Sequence, residues 1–169
     1  MINPPRILIE RVVQGRAPFS RDVVDAILEV AYLAMCADRR LTDEEIDAFA
    51  HVAGALLVPQ SPPAYRVQAD NYRIAPPIKP RETNCWLDRF AERVSRDGVD
   101  ERLNAVIPLL TDPAAKGIAY QIACLIAVSD FDTSDRDADF HVHLIEALGF
   151  TQEEADRLAD EAHRAVEVE

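Results

Sequence analysis

The chain has 169 residues, of which 49% are apolar, enough for one domain with a sizeable buried core. Scarce glycine (5 residues) and few aromatic residues (7%) favour helices over sheet. The net charge is -12, and residues 130–169 carry nearly all of the excess, with 13 acidic side chains against three arginines. Such a surface repels phosphates, which argues against nucleic acid and anionic lipid as partners. No apolar run reaches the roughly 18 residues of a membrane span.

The N-terminus and the cysteines bear on where the protein works. The first residues lack the basic and then apolar segments of a secretory signal, so we expect a cytoplasmic protein. The three cysteines show no CxxC spacing, which argues against a disulfide framework and a structural zinc site. Cys36 and Cys124 lie in apolar helical runs, so both are expected in the core.

The first third of the chain predicts helices. After a short predicted helix near residues 5–14, Ser20 caps a helix that runs to about Ala37. That helix is apolar on nearly all sides, which is typical of a core helix. Thr42 and Glu45 have the spacing of a capping box, and the helix that they open runs to about Leu57.

Residues 58–82 differ from the rest, since six of the eleven prolines lie there. Prolines at this density exclude a helix, so we expect a Pro-rich irregular insertion. A packed irregular arm and a mobile functional loop remain open as alternatives.

Helices return in the second half, with start and end signals at most boundaries. We expect a helix from Thr83 to near Gly98, and a short helix interrupted by Pro108. Three further helices are expected, and their start and end signals are Asp112-Pro113, Ser134 with Asp137, Gly149, and Thr151 with Glu154.

An internal repeat relates the two halves. Shifting the sequence by 92 residues places eight residues on identical ones: Ala31, Leu33, Asp38, Asp43, Asp47, His51, Ala55 and Leu56 fall on Ala123, Leu125, Asp130, Asp135, Asp139, His143, Ala147 and Leu148. We therefore predict one all-α domain over residues 1–169 with about seven helices. It contains two pseudo-symmetric helical hairpins, at about 20–57 and 113–166.

The residues of the two turns resemble a known family. Ala37-Asp38 followed by Thr42-Asp43-Glu44-Glu45, and Ser129-Asp130 followed by Ser134-Asp135-Arg136-Asp137, look like the signature turn of the TerB-like tellurite-resistance family. The run from Glu146 to Phe150 resembles the family's C-terminal end. The chain departs from the family where Arg39 and Phe131 stand in place of the usual glycine.

The resemblance implies an all-α, pseudo-two-fold bundle without known catalysis. Members of this family are linked to bacterial stress and tellurite resistance, and are suspected of binding divalent cations or partner proteins through acidic surfaces. Only the acidic turn positions of this chain are carried over as candidates.

The second acidic turn is the first candidate for a cation site. Hard cations such as calcium take several carboxylate oxygens from one short loop. Asp130, Asp132 and Ser134 match the start of an EF-hand, but Asp135 and His141 stand where glycine and glutamate are required, so an EF-hand is excluded. A weaker calcium site remains, with these candidate ligands: Asp130, Asp132, Asp135, Asp137 and Asp139. Alternatively, Asp135 and Asp137 only favour a helix N-terminus and the others are solvated.

The first turn supplies Asp38, Asp43 and Glu45 as further candidates, although Arg39 and Arg40 among them would neutralise the site. His141 and His143 each follow an acid by four residues. That spacing fits either a transition-metal site or an ordinary surface pair.

No phosphate-binding glycine loop, GxSxG or HExxH motif is present, so catalysis is not expected. Two functions follow as hypotheses. The first is a non-enzymatic TerB-like module of a bacterial stress or tellurite-resistance system that binds a divalent cation at the acidic turns. The second is an acidic adaptor that docks a basic or membrane-associated partner without metal.

Overall fold

The structure is a computed structural model that describes residues 19–37, 41–57, 79–127 and 135–167, without the side chains of residues 57, 135–137 and 163–167. Within these ranges it contains seven α-helices, a short 3-10 segment and no strand, which confirms the all-α prediction. The helices are α1 (Arg21–Met35), α2 (Asp43–Leu57), α3 (Pro80–Asp97), α4 (Val99–Val106), α5 (Pro113–Ala127), α6 (Asp135–Leu148) and α7 (Gln152–Glu167), and the 3-10 segment is Ile107–Leu109.

Polar side chains cap α1, α5 and α7 at the positions that the sequence predicts. The Ser20 hydroxyl accepts a hydrogen bond from the Val23 amide at the start of α1. The Asp112 carboxylate accepts a hydrogen bond from the Ala114 amide at 2.9 Å, at the start of α5. The Thr151 hydroxyl and the Glu154 carboxylate accept from each other's amides, which confirms the capping box at α7.

Two glycines and two prolines shape the ends. Gly98 (φ 84°) and Gly149 (φ 75°) adopt the positive φ that terminates α3 and α6. Pro108 lies in the 3-10 segment that follows α4, as its missing amide requires. The predicted start of α3 is corrected, because that helix begins at Pro80, where a missing amide costs nothing. Thr83 instead lies inside the first turn, buried, and its hydroxyl donates to the Lys79 carbonyl.

Helices α1 and α5 form the centre of the bundle. Every side chain of α1 from Ala26 to Met35 is buried, and so is every residue of α5 from Gly117 to Ile126. The two helices pack on each other, α2, α3 and α4 contact α1, and α6 and α7 contact α5. The prediction that the first of these helices is a core helix is confirmed.

Helix boundaries follow the spacing of the sequence repeat. Helices α1 and α5 begin 92 residues apart, at Arg21 and Pro113, and also end 92 residues apart. Helices α2 and α6 begin 92 residues apart, at Asp43 and Asp135. An approximate two-fold relation between the pairs stays a prediction. The predicted helix at 5–14 and residues 58–78 of the predicted insertion lie outside the described residues. The predicted end of that insertion at residue 82 is corrected, because residues 80–82 belong to α3.

A buried ion-pair network fastens α3 and α4 to α1. Glu29, on α1, is 1% exposed, and its carboxylate accepts from Arg93 on α3 at 2.8 Å and from Arg102 on α4 at 2.7 and 3.1 Å. Arg93 also contacts Asp25, and Arg102 also contacts Asp97. A carboxylate so deep in an apolar core requires such partners, because an unpaired buried charge is costly.

We expect Glu29→Gln to lower the free energy of unfolding by about 3 kcal/mol, because two partly buried guanidinium groups lose their shared carboxylate. Chemical denaturation followed by circular dichroism measures this. Glu92→Gln, at an exposed position of α3, is the matched control and should change stability by less than about 0.5 kcal/mol. Equal losses in the two variants would contradict a structural role for the network.

Candidate functional site

The structure separates the acidic candidates that it describes. Asp43 is exposed at the first residue of α2, and Asp139 is exposed on α6. Asp135 and Asp137 lie in the first turn of α6, without described side chains. Three further candidates lie outside the described residues: Asp38, Asp130 and Asp132.

Glu45 belongs to the capping box at the start of α2. It is 4% exposed, and its carboxylate accepts from the Thr42 amide at 3.1 Å while the Thr42 hydroxyl accepts from the Glu45 amide at 3.2 Å. The predicted capping box is therefore confirmed. Because one carboxylate oxygen already serves the helix start, a role for Glu45 as a cation ligand stays a prediction.

Among the described residues, no three histidine, cysteine, aspartate or glutamate side chains form a group that could hold a metal ion. Asp43, Glu45 and Asp139 thus do not converge on one point. A calcium site at the second acidic turn depends on Asp130 and Asp132 and stays a prediction.

A groove of about 700 Å³ lies in the described part of the chain. It lies where the end of α1, the start of α2, the α3–α4 junction and α6 meet. Six of its lining residues are apolar or weakly polar: Cys36, Ala37, Leu41, Val94, Val99 and Phe140. Three are ionisable: Asp100, Asp139 and His143.

The groove brings together residues that the sequence pairs only in part. Asp139 and His143 are one turn apart on α6, as predicted from their spacing. Asp100, from α4, joins them in the lining, and sequence reasoning missed it. Its place near the start of a short helix after Gly98 predicts favourable dipole interaction, but nothing in the sequence relates α4 to α6.

The charge of the groove is one-sided. None of the described lining residues is lysine or arginine, so the two carboxylates are not neutralised from within that set. Leu41 at the edge of the groove is 48% exposed, which leaves a large apolar side chain facing water. The arrangement suits a ligand that carries both apolar surface and positive charge.

A second, shallower recess of about 480 Å³ lies along α7. Its lining contains four carboxylates and one arginine: Glu153, Asp156, Arg157, Asp160 and Glu161. All five are exposed, while Ala155 and Ala162 of the same helix are fully buried. Helix α7 thus presents an acidic outer face.

Two further histidines with described side chains, His51 and His141, contact other residues of the chain. His51 occupies the same repeat position as His143, but it is 3% exposed and its Nδ1 donates to the Asp47 carbonyl at 2.7 Å. His143 is only half-buried and lines the groove. The two histidines therefore have different surroundings, although they occupy equivalent positions of the sequence repeat. His141 packs edge-on against Tyr120.

The cysteines differ in accessibility. Cys124 is buried as expected, and burial raises the pKa of its thiol to about 11. Cys36 was also expected in the core, but it is half-buried, packing against the core on one side and lining the groove on the other. Cys85 is exposed on α3.

Comparison of the chain with protein-family models, curated proteins and solved structures finds no match. None of the helices in the described ranges has the length and apolar character needed to cross a membrane.

Thiol labelling with a disulfide reagent should resolve the three cysteines at mildly alkaline pH. We expect Cys85 to react first, Cys36 more slowly, and Cys124 only on unfolding, because a buried thiol of raised pKa presents little thiolate. Single Cys→Ser variants assign the phases. Labelling of Cys124 in the folded protein as fast as that of Cys85 would contradict the packing described for α5.

Proposed function

We propose that the chain is a non-enzymatic helical docking module that binds a basic partner protein through its acidic C-terminal surface. The acidic face of α7 is the observation that carries this proposal. Glu153, Asp156, Asp160 and Glu161 are exposed together, and the buried alanines on the other side of α7 hold that face outward. Fixed charges of one sign raise the association rate and select partners of the opposite sign.

We also propose, from the TerB-like resemblance, that this chain is related to the TerB-like family. It is supported by the 92-residue spacing that the boundaries of α1 and α5, and the starts of α2 and α6, share with the sequence repeat. A module of a bacterial stress or tellurite-resistance system, located in the cytoplasm, is the setting that the resemblance implies.

The docking proposal is tested with a model basic helix. The probe is a fluorescent peptide of about 14 residues with leucines at i, i+3, i+4 and i+7 and lysines elsewhere. We expect one-to-one binding in fluorescence anisotropy that weakens about tenfold between about 50 and 300 mM salt, because salt screens exposed charges. The matched control peptide has glutamate for lysine and should not bind. Absence of binding by the lysine peptide would overturn the proposal.

A second candidate function is calcium binding at the acidic turn before α6. The candidate is supported by the start of α6 at Asp135, because Asp130 and Asp132 precede this helix in the sequence and Asp135, Asp137 and Asp139 belong to it. In this hypothesis the turn closes around the cation and the exposed Asp139 contributes from the second turn of the helix.

Calorimetric titration of the metal-free protein with calcium tests this candidate. We expect saturable one-to-one binding, with a Kd between about a micromolar and a millimolar, that is lost in Asp130→Asn with Asp132→Asn. Asp156→Asn with Asp160→Asn removes the same charge from α7 and should leave binding intact. A flat titration of the unaltered protein would exclude the calcium site, and the docking proposal would be unaffected.

A further inference from the structure

The groove between α4 and α6 is lined mainly by apolar side chains, so it favours an apolar occupant. Its volume of about 700 Å³ lies within the range of protein binding pockets. Val94, Val99 and Phe140 line it, and Leu41 stands at its edge with nearly half of its surface in water. Covering these side chains would remove apolar surface from water, which is favourable.

The same groove favours an occupant that carries positive charge, because two carboxylates line it. Asp100 comes from α4 and Asp139 from α6, and both are exposed as well as lining the groove. An occupant that seats an apolar group here lies close to these two carboxylates, and the described lining contains no lysine or arginine. A basic residue next to the apolar anchor would complement both.

Three known modes of peptide recognition are compared to decide which kind of peptide fits the groove: a strand, a polyproline segment or an amphipathic helix. Addition of a strand requires an exposed sheet edge, and the described residues contain no strand. Polyproline segments dock on surfaces lined by several aromatic rings, whereas Phe140 is the single aromatic residue in the described lining. A groove between helices with an apolar floor matches the third mode, an amphipathic helix seated through anchors at i, i+3 and i+4.

We propose that this groove is the anchor site for a basic amphipathic helix of a partner protein. An apolar side chain of that helix enters between α4 and α6 and covers Leu41, and a lysine or arginine one turn away pairs with Asp100 and Asp139. The proposal rests on the proposed function for the basic character of the partner. It adds a second contact, in the groove, to the acidic face of α7, and it specifies a helix as the form in which the partner binds.

The fold holds this site in place before the partner arrives. Arg102, two residues from Asp100 on α4, is tied to the buried Glu29 and to Asp97. Arg93 on α3, next to Val94 of the lining, is tied to the same Glu29. Because the α3–α4 junction is fixed to α1 in this way, binding requires little ordering of that wall, which favours affinity.

The apolar half of the proposal is tested with Leu41→Gln and a matched control, Leu109→Gln. Leu109 is 51% exposed, against 48% for Leu41, but lies in the 3-10 segment outside the groove lining. With the lysine–leucine peptide above as probe, Leu41→Gln should weaken binding about fivefold and Leu109→Gln by less than about 1.5-fold. Thermal unfolding of both variants checks that the fold is kept. Equal affinities in the two variants would overturn the groove as the anchor site.

The charged half is tested with Asp100→Asn combined with Asp139→Asn, against Asp156→Asn combined with Asp160→Asn on α7. Both pairs remove two exposed carboxylates, so they change the net charge equally. The groove pair should weaken peptide binding about tenfold at low salt and the α7 pair clearly less. A loss confined to the α7 pair would overturn the groove proposal and leave the docking function standing. No binding by the unaltered protein would overturn both.

Cysteine labelling gives a readout that does not depend on charge. Cys36 lines the groove, and Cys85 is exposed elsewhere on α3. A saturating amount of the peptide should slow the labelling of Cys36 at least about threefold and leave that of Cys85 unchanged. Labelling of Cys36 that is unaffected by bound peptide would place the peptide outside the groove and contradict the proposal.

Discussion

Much of this structure depends on one buried carboxylate. Glu29 lies in the middle of a helix whose other side chains from Ala26 onward are apolar and buried, and it has to be paired with positive charge where it stands. Arg93 and Arg102 supply that charge from two different helices. One interaction therefore fixes α3 and α4 on α1, and with them one wall of the groove. Removing one partner of such a pair is destabilising, because it leaves a buried charge uncompensated.

Two acidic surfaces, the outer face of α7 and the groove, differ in how their carboxylates are exposed to water and apolar side chains. On α7 the carboxylates are exposed beside one arginine, so they act at a distance and are screened by salt. In the groove, Asp100 and Asp139 adjoin apolar side chains, so in the complex that we propose the partner's cation loses water on binding and geometry decides more of the affinity. Steering by the first surface and selection by the second fit a single basic partner.

The two halves of the repeat use similar local signals in different surroundings. Helices α1 and α5, which stand at equivalent positions of the repeat, are both core helices. The second helices diverge, since His51 is enclosed in the core whereas His143 lines the groove. Helix α6 contacts α4 as well as α5, and the groove lies at that contact.

The sequence by itself determined the helical class, most helix starts and the core position of α1, because caps, prolines and apolar periodicity act within a few residues. It identified Asp139 and His143 as neighbours for the same reason. Only the tertiary structure decided that Glu29 is paired with Arg93 and Arg102, residues more than sixty positions away. It also decided that Asp100 belongs with Asp139, and that Cys36 lines a groove as well as packing on the core. Such contacts join distant segments through the packing of whole helices, and no local spacing encodes them.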